Sequence, residues 1–256
     1  MLMLNIIIVI QARMGSSRLP GKTLKEINGL PLLELLLKRI NKSRHAHKII
    51  VATSHKAIDN PIETFCNQNH IPCFRGSEND VLDRFYQSII FHTTEQERKN
   101  LHVIRITADC PLHHYQVIDK CIEEFQSRKI DYFSNSNQPP VLEDGCDTEI
   151  FTFSSLKAAW ENAQKPSERE HVTPYIKNCG KYKCEYQKCF PDYQYKLSVD
   201  NENDFKLAET IFRHFAPDIL FSIENILNLL KEKPELLEIN KTSKINEGYY
   251  KSLKRD

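Results

Sequence analysis

No excess of either charge marks this chain, in which 35 Lys and Arg stand against 34 Asp and Glu. That balance excludes the broad basic surface of a nucleic-acid-binding domain, so any anion site has to be local. Long apolar runs are also missing. The run from Leu4 to Ile10 falls well short of the roughly 20 residues that cross a bilayer. It lacks the basic start and small-residue cleavage pattern of a signal peptide, and charge arrives at once with Arg13. A soluble, cytoplasmic chain with no membrane and no nucleic-acid partner is expected. No Cys-x-x-Cys pair occurs among Cys66, Cys73, Cys110, Cys121, Cys146, Cys179, Cys184 and Cys189, so reduced thiols are expected. Cys179, Cys184 and Cys189 form the one run that invites a metal, at spacings matching no common zinc pattern. The absence of G-x-G-x-x-G argues against a dinucleotide fold. The absence of D-x-D counts against a glycosyltransferase holding its donor through that metal motif.

What is present is an alternation of strand-length and helix-length apolar segments. Asn5 to Ile10 reads as a central parallel strand, being apolar throughout. Pro31 to Ile40 carries a helical stripe, and Lys48 to Ala52 is a second strand. Ile58 to Asn67 reads as helix, Pro72 to Phe74 as strand, and Asp80 to Phe91 as helix. Leu101 to Ile106 is a fourth strand, His114 to Ser127 a helix, and Asp131 to Ser134 a fifth strand. This order predicts a three-layer α/β/α domain with a mostly parallel sheet, and ligands beyond the carboxyl ends of its strands. The rhythm changes near Gln138. Strands are expected at Asp147 to Phe153, Lys181 to Cys189 and Tyr195 to Val199, and helices at Ser154 to Ala163, Glu168 to Asn178, Asn201 to His214 and Ser222 to Lys231. One domain over residues 1–234 is expected, with a small β-rich insertion at about 138–195 for acceptor binding and dimerisation. A polar tail at 235–256 follows, with Tyr249 and Tyr250 as anchors.

The strongest local signal is Gln11-Ala-Arg-Met-Gly-Ser-Ser-Arg-Leu-Pro-Gly-Lys22, directly after the first strand. Gly15, Ser16 and Ser17 allow a tight turn whose backbone N–H groups can converge on an anion. Arg13, Arg18 and Lys22 add three cations with no acid between them. Such a cluster at a strand end is relieved by a polyanion, and a triphosphate fits. Ser16-x-x-x-x-Gly21-Lys22-Thr23 nearly matches a Walker A loop, but serine replaces its first glycine and Pro20 precedes the second. Asn28-Gly29-Leu30-Pro31 then makes a turn where a Walker lysine would open a long helix.

The loop resembles the signature of the sugar cytidylyltransferases, which include the 3-deoxy-manno-octulosonate and acylneuraminate enzymes, and in particular the spore coat polysaccharide biosynthesis protein F branch. Further landmarks occur in order: Val51-Ala-Thr53, Phe74-Arg-Gly-Ser77, Asp80-Val-Leu-Asp-Arg84, Arg105-Ile-Thr-Ala-Asp-Cys-Pro111, Arg169-Glu-His-Val-Thr-Pro174 and Leu197-Ser-Val-Asp200. The resemblance spans about residues 5 to 215. It implies a nucleotide-diphospho-sugar transferase fold (GT-A-like and Rossmann-related), CTP as donor, a sugar acceptor and Mg²⁺ as cofactor; a homodimer is expected through the inserted strands.

The resemblance also distributes roles. Gln11, Ala12, Arg13, Met14, Gly15, Ser16, Arg18 and Lys22 would hold the nucleotide, with Arg18, Lys22 and Asp109 catalytic. Thr53, Arg75, Ser77, Asp80, Asp83 and Arg84 would face base and ribose. Asp80 reads equally as the cap of the helix starting at Val81, and Asp83 with Arg84 as a solvated pair. Asp109 and Asp200 would be the metal ligands, although alone each reads as a residue capping a turn or helix. Asp147, Glu149, Arg169, Glu170 and His171 would line the acceptor pocket. An arginine there suits a carboxylate, and His171 reads equally as a structural histidine.

Overall fold

Asn5–Gln11 forms β1, and its apolar run is covered on both sides. Ile6, Ile8 and Ile10 enter one hydrophobic layer while Ile7 and Val9 enter the other. Successive strand side chains point to opposite faces, so a central strand must be apolar at every position. The computed structural model describes residues 5–46, 48–137, 142–245, 247–253 and 256, and the side chains of all these except 248, 249 and 251.

After β1 the chain forms β2 (Glu26–Ile27) and β3 (Leu30–Pro31), a hairpin turning on Asn28 and Gly29, both at positive φ. Then follow α1 (Leu32–Ile40), β4 (Lys48–Ser54), α2 (Asn60–Gln68), β5 (Cys73–Gly76), α3 (Val81–His92), α4 (Glu95–Arg98) and β6 (Leu101–Thr107). The second half contributes α5 (Tyr115–Ser127), β7 (Tyr132–Ser134), β8 (Glu149–Thr152), α6 (Phe153–Asn162), α7 (Pro166–His171), α8 (Pro174–Asn178) and β9 (Cys184–Tyr186). It closes with α9 (Glu202–Phe215), α10 (Ile223–Glu232) and α11 (Glu247–Ser252).

The main sheet among the described residues has the order β5-β4-β1-β6-β8-β7-β9. β5, β4, β1 and β6 pair in parallel, and β8 enters antiparallel between β6 and β7. Residues of α1, α2, α5, α9 and α10 pack on one face, and those of α3 and α6 on the other. Because the chain leaves β1 toward β4 and returns through α3 to β6, the strand order reverses at β1. Adjacent loops splay apart there, opening a crevice beyond the carboxyl ends of β1 and β6.

One buried cation organises that end of the sheet. Arg39 of α1 is wholly buried. It donates to the carbonyls of Leu112 and His113, beyond the end of β6, and to those of Ile219 and Phe221. Burial pushes its guanidinium pKa down to about 10, with Cys146 and Asp218 opposing only in part.

Three expectations need correction. Tyr195 to Val199 is not a strand. Leu197 N donates to Asp144 O and Val199 N to Asp109 O, so the segment stitches two separate loops together instead of joining a ladder. The strand expected over Lys181 to Cys189 shrinks to β9. The helix expected over Glu168 to Asn178 is two helices, parted at Val172. Pro174 has no N–H for a continuous helix, and Val172 turns at φ 70° with Thr173 N bonded to His171 O. A β-branched residue rarely takes that conformation, and here it directs His171 and Thr173 toward the same crevice. Gln138, where the insertion was expected to begin, lies outside the described residues, as does the Tyr249 side chain.

Candidate active site

The crevice is a cavity of about 660 Å³ whose walls include the first loop, the end of β6, α7, α8 and the segment around Ser198. The first loop, residues 12–22, is tied down from behind. Met14 N donates to Asp59 Oδ1 at 2.7 Å, Thr23 Oγ1 to Arg13 O at 2.8 Å, and Gly21 N to Met14 O at 3.0 Å. Leu19 is buried, and Gly21 turns at φ 72° to start a short 3-10 helix. By contrast, the amides of Arg13, Gly15, Ser17 and Arg18 donate to no acceptor among the described residues. A loop with a fixed back and unspent amides is a ready anion cradle.

Lys22 is the centre of charge. Its Nζ donates to Asp109 Oδ2 at 2.9 Å, Val199 O at 2.6 Å and Asp200 Oδ1 at 3.2 Å. Burial alone would lower its pKa, but Asp109 and Asp200 outweigh that and hold it above its ordinary value. Burial would raise Asp109, yet Lys22 and a hydrogen bond from Thr107 hold it well below the usual carboxylate range. Asp200 also meets Arg18 at 3.2 Å and Lys196 at 3.2 Å, and Arg18 pairs in addition with Glu247 of α11. Asp200 does not cap α9: Asn201 does, with Asp204 returning the bond.

On the other side of the cavity stands Glu149. It accepts from Arg105, from Tyr132 and from Thr173, with Lys177 Nζ 3.7 Å away. Burial opposes its charge, but Arg105 and Lys177 prevail and hold it down to about 2. Burial, then the same two cations, push His171 down to about 4, so the ring is neutral at physiological pH. Arg105 spends Nε on Gln11 and one amino group on Glu149. Arg13 has no ion-pair partner among the described residues. Asp147 is different in kind: burial and the neighbouring Asp144 raise it to about 7. It accepts from Ser136 and from Gly145 N.

Of the residues singled out beforehand, the cavity wall gathers Gln11, Ala12, Arg13, Ser16, Arg18, Lys22, Arg84, Asp109, Asp147, Glu149, Glu170, His171 and Asp200. The others point elsewhere. Met14 packs against the core, and Gly15 is exposed and offers the loop only its amide. Thr53 is wholly buried with its hydroxyl unpartnered. Arg75 spends itself on Ser54 O, Lys56 O and Glu63. Ser77 receives Asp80 N, and Asp80 caps α3 through Asp83 N. Asp83 takes the Trp160 indole N–H at 2.8 Å. Arg169 turns away from the cavity to grip Asp80 and Trp160 O. Arg84 does reach the wall, and its Nε is buried without a partner.

Sequence reasoning passed over Arg105, Asp144, Lys177 and Lys196. Arg105 carried a signal, being a charge near the end of a mostly apolar central strand. The others lie in irregular or amphipathic stretches with nothing local to mark them. Cys179, Cys184 and Cys189 do not converge: Cys189 Sγ lies 3.5 Å from Cys121 Sγ, while Cys179 and Cys184 both approach Ile176 O. All eight cysteines are free thiols, and the described residues hold no group of three or more side chains suited to a metal.

A family model described as cytidylyltransferase matches residues 7–243. The spore coat polysaccharide biosynthesis protein SpsF of Bacillus subtilis is 30% identical over 241 residues, 90% of this chain and 96% of its own. The 3-deoxy-manno-octulosonate cytidylyltransferase of Fusobacterium nucleatum is 26% identical over 250 residues, covering 88% and 96%. The solved structure of a cytidylyltransferase from Leptospira borgpetersenii superposes with a TM-score of 0.82 at 29% identity, covering 94% of this chain and 99% of that one.

Proposed function

The chain belongs to the cytidylyltransferase family, and we propose that it transfers CMP from CTP to a hydroxyl of an acidic sugar, releasing pyrophosphate, for surface polysaccharide or glycan synthesis. The observation that carries this reading is Lys22, held between Asp109 and Asp200 at the foot of a loop with four unspent amides. SpsF's role in polysaccharide biosynthesis and the octulosonate enzyme's acid sugar support the substrate class. So do Arg13, Arg105 and Lys177 among the lining residues, which would meet an acid sugar's carboxylate.

In this reading the loop amides, Arg18 and Lys22 take the triphosphate, and Arg84 with Ala12 lies on the nucleoside side. The acceptor hydroxyl attacks the α-phosphorus in line and pyrophosphate leaves. Charge gathers on phosphate oxygens, so catalysis is mainly positioning and cationic stabilisation. Lys22 is preorganised for that role because its three acceptors fix its ammonium before substrate arrives.

The donor set suits Mg²⁺. Asp109 Oδ2 and Asp200 Oδ1 already converge on one positive centre, the Lys22 ammonium. Mg²⁺ needs only one or two carboxylates and fills its shell with water and phosphate oxygens. Held by these two carboxylates beside Lys22, which would then share them with the metal, it would supply neutralisation of phosphate charge and a lowered hydroxyl pKa. β9 lies at the edge of the sheet, one side unpaired among the described residues, and is where we place the contact of a homodimer. No helix among the described residues is long and apolar enough to cross a membrane.

A pyrophosphate-release assay with four nucleoside triphosphates and a panel of keto-acid and neutral sugars tests the proposal. Release is expected with CTP and an acid sugar. Turnover of a nucleotide sugar without pyrophosphate would replace the reading by a glycosyltransferase. CTP binding without turnover on any sugar would make the chain a nucleotide-binding module.

A further inference from the structure

The family match ends at residue 243, yet described residues beyond it reach the site. Up to that point it is anchored, with Asn240 Nδ2 on Lys196 O and Asp204, and Asn201 Nδ2 on Ser243 Oγ at 2.9 Å. Beyond it, α11 lies against the cavity, with Glu247 and Tyr250 among the lining residues. At the far side Ser252 Oγ lies 2.7 Å from His171 Nε2, and Asp256 accepts from Ser167 N at 2.9 Å and from Ser167 Oγ at 2.6 Å. The segment is therefore fastened on both banks of the cavity.

Near the first fastening Glu247 Oε2 accepts from Arg18, an exposed arginine of the anion cradle. A carboxylate oxygen and a phosphate oxygen make the same demand on a guanidinium, a planar pair of donors toward negative charge. Arg18 already turns its other amino group to Asp200, so Glu247 and a phosphate oxygen compete for the Nη1 that remains. We propose that α11 is a strap in which Glu247 holds Arg18 in the place of a phosphate oxygen, so that a polyphosphate entering the loop displaces the helix from the cavity. This rests on the assignment of the loop to a nucleotide triphosphate, but the strap responds to the polyphosphate itself. A carboxylate left beside the incoming phosphates would also repel them, so release of the helix and binding of the anion favour each other.

The strap is a modest brake. Arg18 and Glu247 side chains are each about one-third exposed, at 34% and 31%. Pairs of that kind are weak, so Glu247→Gln should tighten binding by about 2- to 5-fold. The test uses the full chain, with inorganic tripolyphosphate and CTP as separate probes. Binding is measured by calorimetry and opening by hydrogen exchange of the amides of 247–252. Both probes are expected to speed exchange in α11, and Glu247→Gln to speed it without ligand and to tighten both. Ser252→Ala, which loosens the far fastening without touching Arg18, should speed exchange too. If tripolyphosphate opens the helix but CTP binds no better than tripolyphosphate, the strap stands and the nucleotide assignment falls. The strap is overturned if both probes leave exchange unchanged or slow it, or if Glu247→Gln weakens binding, since α11 would then be part of the binding platform.

Discussion

Replacing Lys22 by Met keeps the aliphatic stem and removes only the ammonium. That ammonium serves three acceptors within 3.2 Å, and 12% of the side chain is exposed. Loss of one preorganised donor from a site where charge develops costs about 2.7–4 kcal/mol of transition-state stabilisation, about 10²–10³ in kcat. Stability suffers as well, and unevenly. Asp200 keeps Arg18 and Lys196, whereas Asp109 has no second cation among the described residues. Stranding a fully buried carboxylate would cost about 3–5 kcal/mol. With 28% of the Asp109 side chain meeting solvent, about 2 kcal/mol is the expected figure. The pH dependence follows from the signs. Lys22 is raised above 10.5 in the fold, so its contribution is whole below that pH and fades as pH climbs through the folded value. Asp109 is depressed below 3.8, so its contribution is whole above that pH and fades as pH falls through the folded value. The variant's stability deficit should thus be a plateau across neutral pH that closes at both extremes. Urea titrations over pH measure the deficit, and pyrophosphate release measures kcat. A kcat within threefold of the parent would refute the role given to Lys22.

Three further perturbations probe the frame of the site. Arg39→Met strands four carbonyls, three of them buried, and should cost more than about 3 kcal/mol in urea unfolding, because each lost buried partner leaves a desolvated group. Gly145→Ala should abolish activity and lower the thermal midpoint, since φ is 88° and the new Cβ would sit 2.4 Å from the Leu197 carbonyl carbon. Asp147 is raised from 3.8 to about 7, so the folded chain holds a proton that the unfolded chain releases, and stability falls as pH rises between those values. Asp147→Asn should therefore be more stable relative to the parent at pH 8 than at pH 4, and an unchanged difference would show that the carboxyl is not held neutral by the fold.

Much of the layered architecture could be read directly. A strand buried on both faces must be apolar at every position, and Asn5 to Ile10 is that kind of segment from the second residue on. Helix starts were legible where a side chain caps its own backbone, as Asp80 does for α3 and Ser222 for α10. The segment from Tyr195 to Val199 misled because alternation reports which side chains are buried, and a connector wedged between two loops buries them as a strand would.

The site divides the same way. The loop proposed for phosphate is continuous in the chain, and its turn chemistry and cations sit within a dozen residues, so local sequence was enough to propose it. Which carboxylate claims which cation was not local. Arg169 and Asp80 are 89 positions apart and satisfy each other, removing both from the pocket each was expected to line. Lys22 and Asp200 are 178 apart, and only the return of the chain past Val199 brings them together. Sequence alone determined the alternation of layers and marked the loop after β1 that we propose as an anion cradle, because both follow from short-range periodicity and turn residues. Tertiary structure alone decided the pairing of charges, because long side chains are matched by proximity in space, and proximity is set by packing that no local pattern encodes.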